Sequence, residues 1–185
     1  LMEQATISIK DLKAIFVAKG PGGFSALRVG VSMAKAMAMA QEIPLIGIGT
    51  LDIELHPYIH SGRPACAILE AGRESVYMSI NEGTATPMHS SEETYSIVSH
   101  KELASRIIPD SLICGEAALS LNSLLKDIVD DTTEIIDCPP PTRNPNSIAA
   151  LGYELLKASN IDTPESLTPL YIQASQYNRA IESKK

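Results

Sequence analysis

The stretch from Lys19 to Gly49, KGPGGFSALRVGVSMAKAMAMAQEIPLIGIG, constrains the fold of this chain more than any other. Gly20, Pro21, Gly22 and Gly23 spell a tight turn, because proline fixes φ and glycine tolerates positive φ. The apolar run Ala14-Ile15-Phe16-Val17-Ala18 before the turn reads as a short strand. A helix is predicted from about Phe24 or Ser25 to about Gln41. Pro44 ends that pattern, and Leu45-Ile46-Gly47-Ile48-Gly49 reads as a buried strand. Strand, turn, helix, strand is the βαβ unit of a parallel sheet, so the chain is α/β.

The helix carries only two charges, Arg28 and Lys35. With Ser25 and Ser32 they fall at i, i+3, i+7 and i+10, which is one narrow polar stripe. The other positions are apolar and mostly small, with Ala26, Gly30, Ala34, Ala36, Ala38 and Ala40 set among Leu27, Val29, Val31, Met33, Met37 and Met39. A helix apolar nearly all round is covered on more than one side. One face goes to its own sheet. The second face is covered either by a partner chain, which small residues and adaptable methionines suit, or by more of the same core. The helix by itself weighs these two readings equally.

The stretch GPGGFSALRVGVSMAKAMAMAQEIPLIGIGTL resembles the pattern GPGSFTGLRIG…AKGLA…IPLVGVSSL of the TsaB (YeaZ) family. That family is the non-catalytic subunit of the bacterial machinery that makes threonylcarbamoyl-adenosine in tRNA. The same turn and helix occur in its catalytic paralogue, TsaD. The resemblance runs with gaps from about Asp11 to Ile181 and is strong from Gly20 to Leu51. It implies the fold of the actin-like, Hsp70-like and sugar-kinase-like ATPases, which is ribonuclease H-like.

Net charge is −7, which argues against a free basic surface for nucleic acid. If tRNA is involved, another protein binds it. Cys66, Cys114 and Cys138 have no metal-type spacing, and the first two lie in strand-like runs as buried thiols of a reducing compartment. No apolar run reaches transmembrane length and no stretch reads as a signal peptide, so a cytoplasmic location is expected.

Leu1-Met2-Glu3-Gln4-Ala5 reads like the tail of a helix, and Ser8-Ile9-Lys10-Asp11-Leu12 leads into the first strand. In the family that helix follows a hairpin opening on an Asp-Thr-Ser-like turn. The resemblance therefore implies that the first strands of the sheet are missing, which would leave an unpaired edge. Two units are expected: 1–50, the remainder of an amino-terminal subdomain, and 51–185, a carboxy-terminal α/β subdomain.

Beyond the central unit, Thr50 to Ile59 reads as a helix with Thr50 as N-cap. Ala65 to Leu69 and Ser75 to Ile80 read as strands joined by Glu70-Ala71-Gly72-Arg73-Glu74. The family carries Asp-Ala-Arg at that turn. Here Glu70 takes the Asp place and Gly72 the Arg place, with Arg73 adjacent. Asn81 to Ser91 is a polar loop interrupted by Pro87. Ser99 and Glu102 are spaced as a capping box for a helix to Ile108. Leu112 to Gly115 is a strand, Glu116 to Val129 an amphipathic helix, and Glu134-Ile135-Ile136 a last strand. Pro139-Pro140-Pro141 is a rigid connector. A helix runs from Pro145 or Asn146 to about Ala158. Pro169-Leu170-Tyr171-Ile172 resembles the family's closing Pro-x-Tyr-Leu-Arg, with Gln173 in place of the Arg. Ala174 to Lys185 reads as a solvated tail.

Gly20, Gly22 and Gly23 precede a helix N-terminus, where N–H groups can hold an anion. The turn is neither a Walker loop nor a dinucleotide fingerprint, and a purely structural turn is the stronger reading. His56 and His60 have the spacing that puts two imidazoles on one helical face. The catalytic paralogue instead places His-Leu-Glu-x-His directly after the buried strand. The matching residues here are Thr50, Leu51, Asp52, Ile53 and Glu54, so both ligand places lack histidine and no metal is expected. Asp127, Asp130, Asp131, Glu134 and Asp137 read as a solvated acidic run. No nucleophile constellation is present.

The resemblance implies a scaffold that binds TsaD, with the ATPase subunit TsaE in the same complex. It also implies a homodimer when the chain is alone and tRNA contact only through the complex. No cofactor is expected on this chain. ATP and a metal ion belong to the partner subunit, and nucleotide at an interface stays open. The residues expected to face the partner are Arg28, Ser32, Met33, Ala34, Lys35 and Met37. The alternative is a metal-dependent glycoprotease-like hydrolase, or an ATPase, of the same fold.

Overall fold

The computed structural model describes residues 2–83, 94–137 and 142–172. A first turn of helix, α1 (Met2–Ala5), leads through a 3-10 turn (Ile9–Asp11) to β1 (Ile15–Gly20). Then follow α2 (Phe24–Gln41), β2 (Leu45–Gly49) and α3 (Thr50–Leu55). β1 and β2 pair in parallel, with Ile15 opposite Leu45 and Val17 opposite Gly47. Helices cover both faces of this two-stranded sheet. Val31, Ala34 and Ala38 of α2 pack with Leu45, Leu167, Ile15 and Val17 on one face. On the other face, Ile148, Leu151, Leu155 and Leu156 of α7 (Pro145–Lys157) pack with Ile46, Ile48, Phe16 and Ala18. The helix predicted for the carboxy-terminal unit therefore returns to the amino-terminal sheet.

The second sheet has five strands: β3 (Ala65–Glu70), β4 (Ser75–Asn81), β5 (Ser96–Ser99), β6 (Leu112–Cys114) and β7 (Glu134–Ile135). Their order is β5-β4-β3-β6-β7, antiparallel at β5-β4-β3 and parallel at β3-β6-β7. The two-residue period of β3 divides its side chains between two cores. Ala65, Ala67 and Leu69 join Leu51 and Leu55 of α3. Cys66 and Ile68 join Ala117, Ala118 and Leu125 of α5 (Glu116–Ser120) and α6 (Asn122–Ile128). All six residues of α3 are buried, and it contacts β1, β2, β3 and α7, so it is the wedge between the sheets.

Three predicted elements come out differently. The helix from Thr50 stops at Leu55 and continues as a 3-10 turn, His56–Tyr58, where Pro57 cannot donate to the ladder. The predicted helix from Ser99 shrinks to α4 (Leu103–Arg106), and Ser96–Ser99 is a strand that sequence reading passed over. Ser99 and Glu102 do meet, with the Ser99 hydroxyl donating to Glu102 Oε2 at 2.6 Å, but the pair closes a turn after the strand. The helix predicted over 116–129 breaks at Leu121. There the Ser120 hydroxyl bonds Glu70 and the Ala117 carbonyl, the competition that Ser offers to helix backbone. Pro87, Ser91, Cys138, the Pro139–Pro141 connector, Gln173 and the tail from Ala174 lie outside the described residues.

Candidate functional site

The glycine turn is shaped by backbone contact. Gly20 has φ +118°, and a Cβ there would sit 2.7 Å from the Leu170 carbonyl oxygen. The Leu170 N–H donates to the Lys19 carbonyl at 2.7 Å, so the turn and the last described segment hold each other. Gly23 is the N-cap of α2 and offers no side chain to the first-turn N–H groups.

The turn forms one wall of a cleft of about 470 Å³, within the usual range of small-ligand sites. Gly22 and Gly23 face Glu70 at the end of β3, Glu116 and Ser120 of α5, and Arg143 before α7. The Ser120 hydroxyl donates to Glu70 Oε1 at 2.8 Å, and Arg143 Nη2 donates to Glu116 Oε2 at 3.0 Å. Arg73 stands exposed in the β3–β4 turn and is not among the residues lining the cleft. Sequence reading missed Glu116, Ser120 and Arg143, because each lies far along the chain from the glycine turn and carries no motif.

Behind the cleft lies α3. Glu54 is buried and accepts a 2.6 Å hydrogen bond from the Thr142 hydroxyl. Burial pushes its carboxyl above the usual range, while Thr142 and the neighbouring Arg143 cation pull the other way. The Asp52 N–H donates to the Tyr95 hydroxyl oxygen at 3.3 Å, and Thr50 Oγ1 is buried without a hydrogen-bond partner among the described residues. Thr50 and Glu54 are thus packed into the wedge helix, and neither position offers an imidazole. His56 is half-buried in the 3-10 turn and His60 is exposed beyond it, past the end of the α-helix. Among the described residues no three of His, Cys, Asp and Glu converge closely enough to hold a metal ion. No helix among them is long and apolar enough to cross a membrane.

The residues expected to face a partner divide between the two sides of α2. Ala34 is a correction. It is only 6% exposed, buried with Val31 and Ala38 against β1 and β2, so its side chain is core. Met33, one position away, is 63% exposed and Val29 is 67% exposed. At about 100° per residue they lie roughly 100° and 140° around the helix from Ala34. With exposed Ala26, Ala36 and Ala40 they make an apolar stripe on the outer side. Ser32 is exposed, whereas Lys35 and Met37 are half-buried at the flanks.

Arg28 is exposed at one edge of this stripe and is held by two rings. Its guanidinium carbon lies 3.8 Å from the Phe24 ring centroid, and its Nε donates to the Tyr171 hydroxyl at 3.0 Å. The two rings are 5.4 Å apart. In the sequence Tyr171 stands out only as part of a closing pattern, and its place beside α2 depends on a contact across 143 positions.

The parallel pair, the wedge helix and the mixed five-stranded sheet make an α/β protein, and its fold is that of the solved YeaZ structures, the actin-like, ribonuclease H-like fold. A Pseudomonas aeruginosa protein described as similar to peptidase YeaZ superposes with TM-score 0.69 at 14% identity, covering 93% of this chain and 79% of that one. YeaZ from Pseudomonas aeruginosa gives 0.68 at 14% identity. The family profile described as TsaD, tRNA N6-adenosine threonylcarbamoyltransferase, matches residues 1–95. The Syntrophotalea carbinolica protein of that name is 51% identical over 47 residues, which are 25% of this chain and 14% of the relative. Bacillus subtilis TsaB, named as a tRNA threonylcarbamoyladenosine biosynthesis protein, is 32% identical over 77 residues, 42% of this chain and 34% of the relative. The chain thus spans between about a seventh and a third of these curated relatives. It belongs to the glycoprotease-like family that comprises TsaD and TsaB (YeaZ).

Proposed function

We propose that this chain acts in tRNA threonylcarbamoyladenosine biosynthesis as a non-catalytic subunit of TsaB type, binding the catalytic paralogue TsaD through the outer face of α2. The observation that carries the reading is the apolar stripe Val29, Met33, Ala36 and Ala40 on a helix whose opposite side is already filled by its own sheet. Exposed large apolar groups that gather on one face mark interaction sites. The names of the TsaB and TsaD relatives supply the pathway. Thr50 and Glu54 at the paralogue's ligand places support assigning the metal and the ATP to the partner, with TsaE as the third component. The same face serves self-association when TsaD is absent, tRNA is reached only through the complex, and the complex works in the cytoplasm. A nucleotide at the interface would be favoured by the first-turn N–H groups of α2 beside the glycine turn.

The test is sedimentation of the chain with TsaD from the same cell, for wild type and Met33→Arg, with circular dichroism as the folding control. Wild type forms a heterodimer burying on the order of 1,200–2,000 Å², and Met33→Arg stays folded but unpaired. Wild type that ignores TsaD, or turnover by this chain alone that tracks Glu70 or Arg143, would favour the hydrolase or ATPase reading.

A further inference from the structure

Arg28 is a cation held in place on the surface. Its guanidinium face is stacked on Phe24 and its Nε is committed to Tyr171, so its orientation is fixed before anything binds. Among the described residues its two Nη groups make no ion pair or hydrogen bond, whereas Arg63 and Arg143 are paired with carboxylates. A planar fork already held in place is suited to take a carboxylate by two parallel hydrogen bonds. Arginine and tyrosine are also enriched among the residues that anchor protein contacts.

The rest of α2 says which kind of protein fits. The helix has no acidic residue, and its only charges, Arg28 and Lys35, lie on one flank of the stripe with Ser25 and Ser32. The nearest acid, Glu42, is the C-cap beyond the helix end. A second copy docked face to face would bring two arginines and two lysines to the contact and no helical anion. A helix with an apolar face and carboxylates along one flank would match both features.

We propose that the Phe24–Arg28–Tyr171 stack is a carboxylate-reading anchor, which makes the face of α2 prefer an acid-flanked helix of a different chain over a second copy of itself. This rests on the reading that α2 is a protein contact, and it adds the chemistry of the partner. Specificity of this kind comes from repulsion between copies as much as from attraction to the partner.

The experiment titrates TsaD from the same cell against the full chain as wild type, Arg28→Glu, Arg28→Gln and Met33→Arg, at low and high salt, with self-association measured in parallel. Arg28→Glu is expected to weaken pairing with TsaD at least tenfold, with Arg28→Gln intermediate, while self-association is unchanged or stronger. Raising salt is expected to weaken the mixed pair and not the self-pair. Thermal unfolding of each variant shows that the fold is retained. Pairing with TsaD that is lost in Met33→Arg but unmoved by Arg28→Glu and by salt would overturn the anchor and leave the α2 contact standing. A self-pair that excludes TsaD, or no pairing of wild type at all, would overturn both.

Discussion

The Thr142 hydroxyl donates to Glu54 Oε1 at 2.6 Å across 88 positions of sequence, joining the wedge helix to the segment that carries the cleft's only arginine among the described residues. The carboxyl it meets is buried, and burial raises the carboxyl's pKa against the pull of Thr142 and Arg143.

This gives a pH dependence of defined sign. The folded state holds the Glu54 proton more tightly than the unfolded chain does. The contribution to stability is complete below the unfolded value, about 4.3, and is lost as pH rises through the higher folded value. Glu54→Gln keeps an acceptor for Thr142 and cannot ionise. Denaturant unfolding from about pH 4 to pH 8 should show the variant gaining on wild type as pH rises. Parallel curves would count against a raised pKa. Thr142→Val strands the buried acceptor and should cost about 1–3 kcal/mol.

Met33 and Ala34 are neighbours with opposite fates. Ala34→Arg drives an unpaired charge between α2 and the first sheet, at a cost on the order of 3–5 kcal/mol. Met33→Arg points outward and should change stability by less than about 0.5 kcal/mol. Thermal unfolding of the two variants separates the faces, and equal losses would mean that Met33 is not free.

Arg63 ties three loops together. It pairs with Asp110 at 3.2 Å and Glu134 at 3.0 Å, and it donates to the Asp110 and Thr132 carbonyls at 3.1 and 2.8 Å. Arg63→Ala should lose about 1–3 kcal/mol, because two backbone acceptors lose a charged donor. Arg63→Lys should recover little of it, since an ammonium cannot reproduce the fork. Urea midpoints of both variants measure this, and full rescue by lysine would reduce the contact to simple charge.

Gly115 separates β6 from α5 at φ +97°, and a Cβ there would run into the Ile68 carbonyl oxygen. Gly115→Ala should cost at least about 1–3 kcal/mol from backbone conformation alone, with more from the clash against β3. Gly62→Ala, at φ +74° with open space around it, isolates the conformational part. Equal losses at the two sites would mean that β3 yields to the added methyl.

Cys66 is sealed in the core behind β3, and burial pushes its thiol up to about 12. Cys114 is buried too, with its Sγ donating to the Glu54 carbonyl. Neither should react with an aromatic disulfide reagent until the protein unfolds. Labelling followed by peptide mass mapping locates the reactive thiols, and rapid native modification of Cys66 would mean that the core opens.

Local pattern and covalent geometry were enough for the central βαβ unit. The turn residues Gly20 to Gly23, the apolar period from Phe24 to Gln41 and the stop at Pro44 all act within a few residues, and the structure places α2 and β2 where they point. The same period shows that α2 has two apolar faces, yet the expectation that Ala34 faces a partner fails. A helical period does not say which face meets a sheet, because β1, β2 and Leu167 choose it from outside the helix. β5 was missed for the same reason. Ser96–Ser99 is too short to be a strand by itself and is made one by pairing with β4. At the split of 116–129, Ser120 bonds Glu70 across 50 positions. The cleft, the Glu54–Thr142 bond and the Arg28–Tyr171 contact are likewise made between segments that are distant in sequence. Short-range sterics and periodicity are written in the order of residues. Which distant side chains share a site is decided only when the sheets, the wedge helix and α7 close on one another.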